Sequence, residues 1–311
     1  MDMTKRERVE AAVRGREVDR VPICFWHHFR PKGSPVRLAN STYDYFSKFD
    51  LDVFKIMPDI PYPFPRNSIH DAGDWDLLAP LDPYEGNMGW FLETVPLLRD
   101  KIGDDTPIIV TVFAPFCRAM QFAGIETIKR HIQEDAAQVH HGMSTIARNL
   151  GDFCKAAIES GADGVFLAVQ GGSDNLTTRE QYAEFGKPYD LMVLEECRSG
   201  WLNVLHAHGD SNLLIDDFLQ YPIDALSWSD RITGLSLKEV RGRKPNLCLM
   251  GGAHERGPMV TGDLAAAEAE IKDALAQTGG KGHILANGCS IPDDSDDSKL
   301  SQWADLARRL G

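Results

Sequence analysis

The sequence of 311 residues has no apolar run long enough to cross a membrane. Its first twenty residues are charged and helical in pattern, without the basic flank and apolar core of a secretory signal. Acidic residues outnumber basic ones, 46 to 33, and the formal net charge of −13 disfavours nucleic acid and anionic membranes as partners. We therefore expect a cytoplasmic protein that binds neither nucleic acid nor a membrane.

The cysteines lack the paired spacing of a disulfide framework. The six are scattered along the chain at Cys24, Cys117, Cys154, Cys197, Cys248 and Cys289. This pattern favours reduced thiols, most of them small core residues. A Gly-x-Gly-x-x-Gly segment after the first predicted strand is also missing, which argues against a dinucleotide-binding fold.

Eight apolar, strand-like runs alternate with helical segments. The predicted strands cover residues 21–26, 52–57, 107–113, 164–170, 202–208, 225–229, 247–250 and 283–286. Nearly continuous apolar strands that alternate with helices are typical of a parallel sheet covered by helices. Eight such units in a chain of this length fit a (β/α)8 TIM barrel better than an open sheet. With no linker and no repeat beyond this alternation, we predict an α/β protein with a single domain, residues 1–311.

Two longer segments carry further predictions. Residues 125–160 are strongly helical, with a break expected near 149–152. Residues 58–89 are rich in proline and aromatic side chains, and long loops of this kind are often functional. We expect this segment to cover the substrate, with Trp75, Tyr84 and Trp90 as apolar walls; ordinary packing of a long loop is the alternative.

Polar side chains stand at the predicted carboxyl ends of the strands, where barrel enzymes place their chemistry. His206 and His208 share one face of their strand because successive side chains alternate, so both imidazoles are able to bind one metal ion. Cys289, which follows the last strand, would add a thiolate to a zinc site. A hydrogen-bonded histidine pair and a core cysteine are the alternatives.

Other strand ends supply candidate catalytic residues. His254 follows two glycines, where missing side chains let a ligand approach the backbone. Asp59 and Asp230 are candidate acids or bases, with capping or loop hydrogen bonds as the alternative role of each. Asp210 is expected to orient a ligand imidazole.

Candidate substrate contacts are His27, Arg30, Gln170 and Trp75. His27 and His28 point to opposite faces, so only one of them is expected to reach the pocket.

The chain resembles the uroporphyrinogen decarboxylase superfamily over essentially its whole length. The resemblance rests on residues 4–9 (Thr-Lys-Arg-Glu-Arg-Val) with 20–22, on 112–116 (Val-Phe-Ala-Pro-Phe) and on 288–294 (Gly-Cys-Ser-Ile-Pro-Asp-Asp). It implies a (β/α)8 barrel. True uroporphyrinogen decarboxylases are cofactor-free and have an Arg-Gln-Ala-Gly-Arg segment after the first strand, where this chain has Phe-Trp-His-His-Phe-Arg at 25–30. Because a substrate with eight carboxylates needs fixed cations, the loss of paired arginines argues against that reaction.

A second branch of the superfamily consists of zinc-dependent methyltransferases that move a methyl group between a corrinoid protein and a thiol such as coenzyme M. Its members have His-x-Cys-Gly after the fifth strand and Gly-Cys before the final helix. This chain is similar, with His206-Ala-His208-Gly and Gly-Cys289. The resemblance implies zinc held by these three residues, with histidine replacing cysteine at the middle position.

The leading hypothesis is a zinc-dependent methyltransferase-like enzyme that activates a thiol and acts on a small-molecule substrate, with a corrinoid protein as the candidate methyl donor. The alternative is a cofactor-free decarboxylase of a smaller carboxylate, in which pocket histidines act as general acids. A third hypothesis is a metal-assisted hydrolase, although the familiar hydrolase barrels resemble a His-x-His at the first strand. Donor, acceptor and oligomeric state stay open.

Overall fold

Eight parallel strands form one sheet that curves into a nearly closed barrel. The computed structural model describes residues 2–29, 34–58 and 61–311. The strands are β1 (Ile23–Cys24), β2 (Phe54–Ile56), β3 (Ile108–Phe113), β4 (Gly164–Val169), β5 (Val204–Ala207), β6 (Ala225–Trp228), β7 (Cys248–Ala253) and β8 (His283–Asn287). Their order around the sheet is β1-β8-β7-β6-β5-β4-β3-β2. The TIM barrel predicted from the sequence is therefore confirmed.

Helices connect the strands and cover the outside of the barrel. They are α1 (Lys5–Val13), α2 (Pro35–Lys48), α3 (Gly86–Ile102), α4 (Pro115–Ala123), α5 (Ile125–Glu134), α6 (Ala136–Glu159), α7 (Arg179–Phe185), α8 (Lys187–Glu196), α9 (Ile215–Phe218), α10 (Leu237–Arg243), α11 (Pro258–Thr261), α12 (Leu264–Thr278) and α13 (Asp297–Leu310). Thr4 caps α1 through a capping box with Glu7. Within the three described ranges, no helix has the length and apolar character needed to span a bilayer.

The helical segment 125–160 breaks at a different place from the predicted one. The break is at Asp135, whose carboxylate accepts a hydrogen bond from the backbone N–H of Gln138 and so caps α6. Asn149 stays helical because its side chain makes tertiary contacts, donating to the Ala79 carbonyl and accepting from the Leu81 N–H. Gly151 also stays helical and allows the side chain of Glu196 on α8 to approach closely.

Much of the segment 58–89 packs against the barrel's outer helices. Trp75 is completely buried in a short 3₁₀ helix, where its Nε1 donates a hydrogen bond to His131 Nδ1 at 3.1 Å. Its ring lies so close to Gly142 of α6 that a Cβ there would clash with it. Tyr84 and Trp90 are 62% and 45% exposed. The burial of Trp75 matches the alternative of ordinary packing at that residue, and the role of the three aromatic residues as walls of a substrate lid stays a prediction.

The first and second strands are joined by a buried carboxylate. Among the described residues, no ladder of paired residues connects β1 to β2. Instead, Asp52 donates its backbone N–H to the Ile23 carbonyl at 2.9 Å, and its carboxylate accepts the Ile23 N–H at 2.8 Å. Arg8 and Arg20 both form ion pairs with this fully buried carboxylate at 2.7 Å. Asp52 therefore links β1, β2 and α1 at the amino-terminal side of the barrel.

Removal of this carboxylate is expected to destabilise the protein strongly. Asp52→Ala leaves the Arg8 guanidinium buried without one of its partners, a change that typically costs about 3–5 kcal/mol. The control is Asp50→Ala, because Asp50 pairs with Lys5 at the surface and is 60% exposed; such pairs contribute about 0–1 kcal/mol. Urea unfolding of both variants measures the two free energies, and similar losses would contradict this role of Asp52.

Candidate metal centre

A cavity of about 260 Å³ lies at the carboxyl ends of the strands. The residues that line it are Trp26, His28, Lys55, Met57, Pro58, Thr111, Phe113, Phe166, Ala168, Gln170, His206, His208, Cys289 and Ser290. On β3, β4 and β5 the lining residues are two positions apart, as expected when every second side chain points into a barrel. Strand alternation therefore determines which side chains meet in this cavity.

Three side chains in the cavity form a candidate metal centre. One donor atom each from His206, His208 and Cys289 lies within 4.8 Å of the other two. The Cys289 Sγ is 3.6 Å from His208 Nδ1. Ligand atoms of a tetrahedral zinc ion are about 3.3–3.6 Å apart, given metal–ligand bonds of about 2.0–2.3 Å. Two imidazoles and a thiol are also a donor set that zinc accepts, so the side chains fit this ion.

Burial keeps both imidazoles in the form that binds metals. It lowers the pKa of His206 well below its usual value, and the nearby His208 and Lys55 lower it further. Burial also lowers the pKa of His208, although the carboxylates of Asp210 and Glu255 act in the opposite direction. Both rings are therefore neutral near pH 7, and each has a lone pair to offer.

The thiol of Cys289 has the opposite requirement. Burial raises its pKa, so without a metal ion the sulfur stays protonated at neutral pH. Because zinc binds the thiolate, a metal ion would have to displace this proton, and its affinity for the site would increase with pH.

The His206 ring is held by neighbours other than the predicted one. Its Nδ1 lies 3.3 Å from Ser227 Oγ, and the ring stacks on Phe166 at 5.3 Å between centroids. The contact with Ser227 leaves Nε2 as the donor for a metal ion. Asp210, expected to orient a ligand imidazole, has no hydrogen bond to either ring among the described contacts. It acts on His208 through its charge.

Glu255 is a neighbour of the centre that the sequence analysis did not identify. It is 5% exposed, and its Oε1 accepts a hydrogen bond from Ser229 at 2.8 Å. Its Oε2 is buried with no hydrogen-bond partner among the described residues, and His254 Nδ1 lies 3.9 Å from it. A Cβ on Gly288 would lie only 3.1 Å from this oxygen, so the glycine before Cys289 allows the carboxylate to approach. The available signal was an acid one position after His254, just beyond β7.

The two predicted catalytic residues nearest Glu255 do not line the cavity. His254 Nδ1 accepts a hydrogen bond from the Arg256 N–H, and the His254 N–H donates to Glu270. Asp230 Oδ1 accepts the Gly252 N–H at 2.9 Å, and burial raises the pKa of this carboxyl to about 6. Both side chains stabilise turns at the rim of the barrel.

The predicted substrate contacts have mixed outcomes. Gln170 lines the cavity and accepts a hydrogen bond from Cys117 Sγ at 3.2 Å. Of the two adjacent histidines, His28 lines the cavity, whereas His27 packs outside it against Tyr45 at 4.5 Å. His28 is therefore the histidine of this pair that lines the cavity, and a substrate contact at His27 stays a prediction.

Two further predicted site residues, Arg30 and Asp59, lie outside the residues that the structure describes.

Lys55 is a second functional candidate that the sequence analysis did not identify. It is 1% exposed and lines the cavity from β2. Its Nζ is 4.1 Å from the centroid of the Phe166 ring and 4.8 Å from that of Trp26, distances typical of cation–π contacts. The signal was present as a lysine inside an otherwise apolar strand.

Known proteins with similar sequences and folds include both decarboxylases and methyltransferases. The methylcobamide:CoM methyltransferase MtbA of Methanosarcina mazei is 24% identical over 257 residues, which are 78% of this chain and 70% of that protein. A uroporphyrinogen decarboxylase of Chlorobium phaeovibrioides is 22% identical over 250 residues, 77% of this chain and 70% of that protein. The solved structure of a methyltransferase from Methanosarcina mazei has the same fold, with a TM-score of 0.84, 18% identity and 99% of each chain covered.

The family model described as uroporphyrinogen decarboxylase (URO-D) matches residues 49–310, more than four fifths of the sequence. The chain therefore belongs to the uroporphyrinogen decarboxylase (URO-D) family.

Proposed function

We propose that this protein is a zinc-dependent methyltransferase-like enzyme that activates a thiol for methyl transfer. The observation that carries the proposal is the convergence of the His206, His208 and Cys289 donor atoms within 4.8 Å in the cavity at the barrel mouth. The similarity to a methylcobamide:CoM methyltransferase supports the reaction class. It also makes a methyl-corrinoid protein the proposed donor.

The three ligands would hold zinc with one position open toward the cavity, as in other catalytic zinc sites. When bound, zinc would lower the pKa of a thiol that coordinates there. After the thiol has lost its proton to the solvent, its sulfur would form a bond to the methyl carbon while the bond from that carbon to the donor breaks, and the electron pair of the broken bond would stay with the donor. The apolar walls formed by Trp26, Phe113 and Phe166 would limit water near the reacting atoms.

The second histidine would change the charge of the centre. Zinc with one imidazole and two thiolates is formally neutral, whereas His206, His208 and Cys289 would leave it at plus one. A more cationic ion lowers the pKa of a bound thiol further, but the resulting thiolate is a weaker nucleophile. The negative charges of Asp210 and Glu255, which act on these ligands, would partly offset the difference.

The size of the cavity supports a small-molecule substrate. Its volume of about 260 Å³ is near the lower end of the usual range of ligand pockets, about 300–1,000 Å³. A porphyrinogen with eight carboxylates is too large and too highly charged for it. A small thiol and a methyl group fit more readily.

The metal is tested by its stoichiometry in the purified protein. We expect about one equivalent of zinc in protein prepared without added metal, and less than about a tenth in His206→Ala and Cys289→Ser, because each loses a ligand. His254→Ala is the matched control, since this histidine directly follows β7 but lies outside the cavity. Elemental analysis gives the values, and wild-type protein without zinc would remove the proposal.

The reaction is tested with free methylcobalamin and 2-mercaptoethanol as probes. The methylcobalamin absorption should disappear only with zinc-loaded protein. The rate of this disappearance should fall at least about a hundredfold in Cys289→Ser, because a zinc ligand is lost. The methylated thiol is identified by mass spectrometry. Transfer that is unaffected by chelation or by this substitution would contradict the mechanism.

The histidine at the middle ligand position has a consequence for pH dependence. In His208→Cys we expect zinc to be retained, with the pH midpoint for binding of 2-mercaptoethanol shifted upward, because the formal charge of the centre falls from plus one to zero. Calorimetric titrations between pH 5 and 9 measure the midpoint. His254→Cys serves as the control, and identical midpoints in wild type and His208→Cys would contradict the charge argument.

A cofactor-free decarboxylase of a smaller carboxylate is the second candidate, supported by the family membership and by a decarboxylase among the relatives. Its pocket histidines would need to donate protons. The lowered pKa values of His206 and His208 make both rings poor donors near pH 7. Carbon dioxide release that survives exhaustive chelation would favour this candidate over the zinc enzyme.

A further inference from the structure

Arg118 of α4 is a buried arginine without an acidic partner. Its side chain is 7% exposed, and no carboxylate forms an ion pair with it among the residues that the structure describes. Its Nη1 donates a hydrogen bond to Gln121 Oε1 at 2.9 Å, whereas its Nε is buried with no acceptor. Arg8, which is also buried, pairs with both Asp19 and Asp52. The surroundings of Arg118 therefore differ from those of a structural ion pair.

Two aromatic rings stabilise the guanidinium without neutralising it. Its carbon lies 4.9 Å from the centroid of the Phe113 ring and 5.6 Å from that of Tyr62. Such contacts act on the faces of the guanidinium and leave its in-plane N–H groups available. Burial lowers the pKa of Arg118 to about 10, so the group is still a cation at neutral pH. Because a buried cation is costly without an anion, this position favours a ligand that supplies negative charge.

Arg118 lines a small cavity that is separate from the cavity of the metal centre. Its volume is about 20 Å³, whereas a single water molecule needs about 10–15 Å³. This space holds one water molecule or one monatomic ion, and it is too small for a carboxylate, a sulfate or a phosphate. None of the described residues that line it is an aspartate or a glutamate. Both the size and the charge of the cavity therefore suit a monatomic anion.

Two hydroxyl groups join the arginine at this cavity as hydrogen-bond donors. Thr111 is 3% exposed, and its Oγ1 is buried with no hydrogen-bond partner among the described residues. Tyr62 Oη accepts a hydrogen bond from Asn149 Nδ2 at 2.9 Å, which leaves the phenolic O–H able to donate. A water molecule would bring two hydrogens that need acceptors, and a guanidinium has no acceptor to offer. Three donors, one of them on a cation, thus favour an anion over water.

We propose that Arg118, Thr111 and Tyr62 bind one halide ion, with chloride as the expected ligand, in the 20 Å³ cavity. The ion would accept hydrogen bonds from the guanidinium and from the two hydroxyl groups, and it would supply the negative charge that the described residues do not place beside Arg118. It would also connect β3, α4 and the segment that follows β2, to which these three residues belong. The inference goes beyond the proposed function, because it assigns a ligand to a second site and needs no metal ion.

The halide site is tested by the dependence of stability on chloride. Urea unfolding of the full chain is measured while sodium chloride replaces sodium gluconate at constant ionic strength, since gluconate is too large for the cavity. A ligand that binds only the folded protein lowers the unfolding equilibrium constant in proportion to one plus its concentration divided by its Kd. For wild type we expect a decrease of at least about tenfold between about 1 and 100 mM chloride. Bromide should act like chloride, whereas an unchanged constant would overturn the proposal.

Substitutions separate this site from a general effect of salt. In Arg118→Gln the unfolding constants in chloride and in gluconate should agree within about twofold, because the cation is lost. Thr111→Val and Tyr62→Phe keep the arginine, and each should weaken the affinity for chloride at least about threefold, because one donor is lost. Arg148→Gln removes an exposed arginine of α6 and should keep the full dependence. If Arg118→Gln does not fold, the two hydroxyl variants decide the question, and full chloride dependence in both would refute the site.

Two further measurements identify the position of the ion. An open zinc position also accepts chloride, so the dependence is measured in Cys289→Ser, which lacks a zinc ligand. It should persist there, and its loss would assign the effect to the metal centre and overturn the proposal. In crystals grown with sodium bromide, anomalous scattering should locate one bromide beside Arg118 Nε and Thr111 Oγ1. An ordered water molecule at that position, or a bromide without any effect of chloride in solution, which would be an adventitious ion only, would also overturn the proposal.

Discussion

The arrangement of the cavity depends on how the first strand is joined to the second. Among the described residues no ladder joins β1 to β2, and Asp52 makes the connection through hydrogen bonds to Ile23 and ion pairs to Arg8 and Arg20. Since β8 pairs with β1, this connection also positions β8 relative to β2. The connection therefore helps to position Cys289, which follows β8, relative to Lys55 of β2, and both residues line the cavity. A buried ion-pair network at the amino-terminal side thus helps to position the strands that carry the candidate metal centre at the opposite end.

Features of the site that depend only on strand alternation could be predicted from the sequence. His206 lies on β5 and His208 directly follows that strand, two positions further on, so their convergence follows from the period of a strand. The position of Cys289 after the eighth strand placed it near them once the sheet was predicted to close into a barrel. Gln170 was found in the same way, at the end of β4.

Strand alternation could not predict which side chains line the cavity where a strand is short or the backbone turns. β1 has two residues, so its alternating pattern does not extend to His27 and His28, and it does not show which of the two lines the cavity. Gly252 has a φ of +106°, which interrupts the extended path of β7 just before His254 and Glu255. Such positive φ values favour glycine and redirect the residues that follow. Trp75 is a different case, because only the tertiary contact with Gly142 shows that its ring is buried among helices.

The charges around the cavity are consistent with an anionic substrate in a protein whose net charge is −13. An overall negative charge repels anions at long range, so an enzyme for an anionic substrate needs local cations where the substrate binds. Lys55 lines the cavity, whereas Arg118 lines a separate cavity of about 20 Å³; both side chains are buried. Buried cations are costly unless they are paired, and Arg118 lacks a carboxylate from the described chain. Lys55 is the cation that lines the cavity, so its charge would offset this long-range repulsion for an anionic group that binds there.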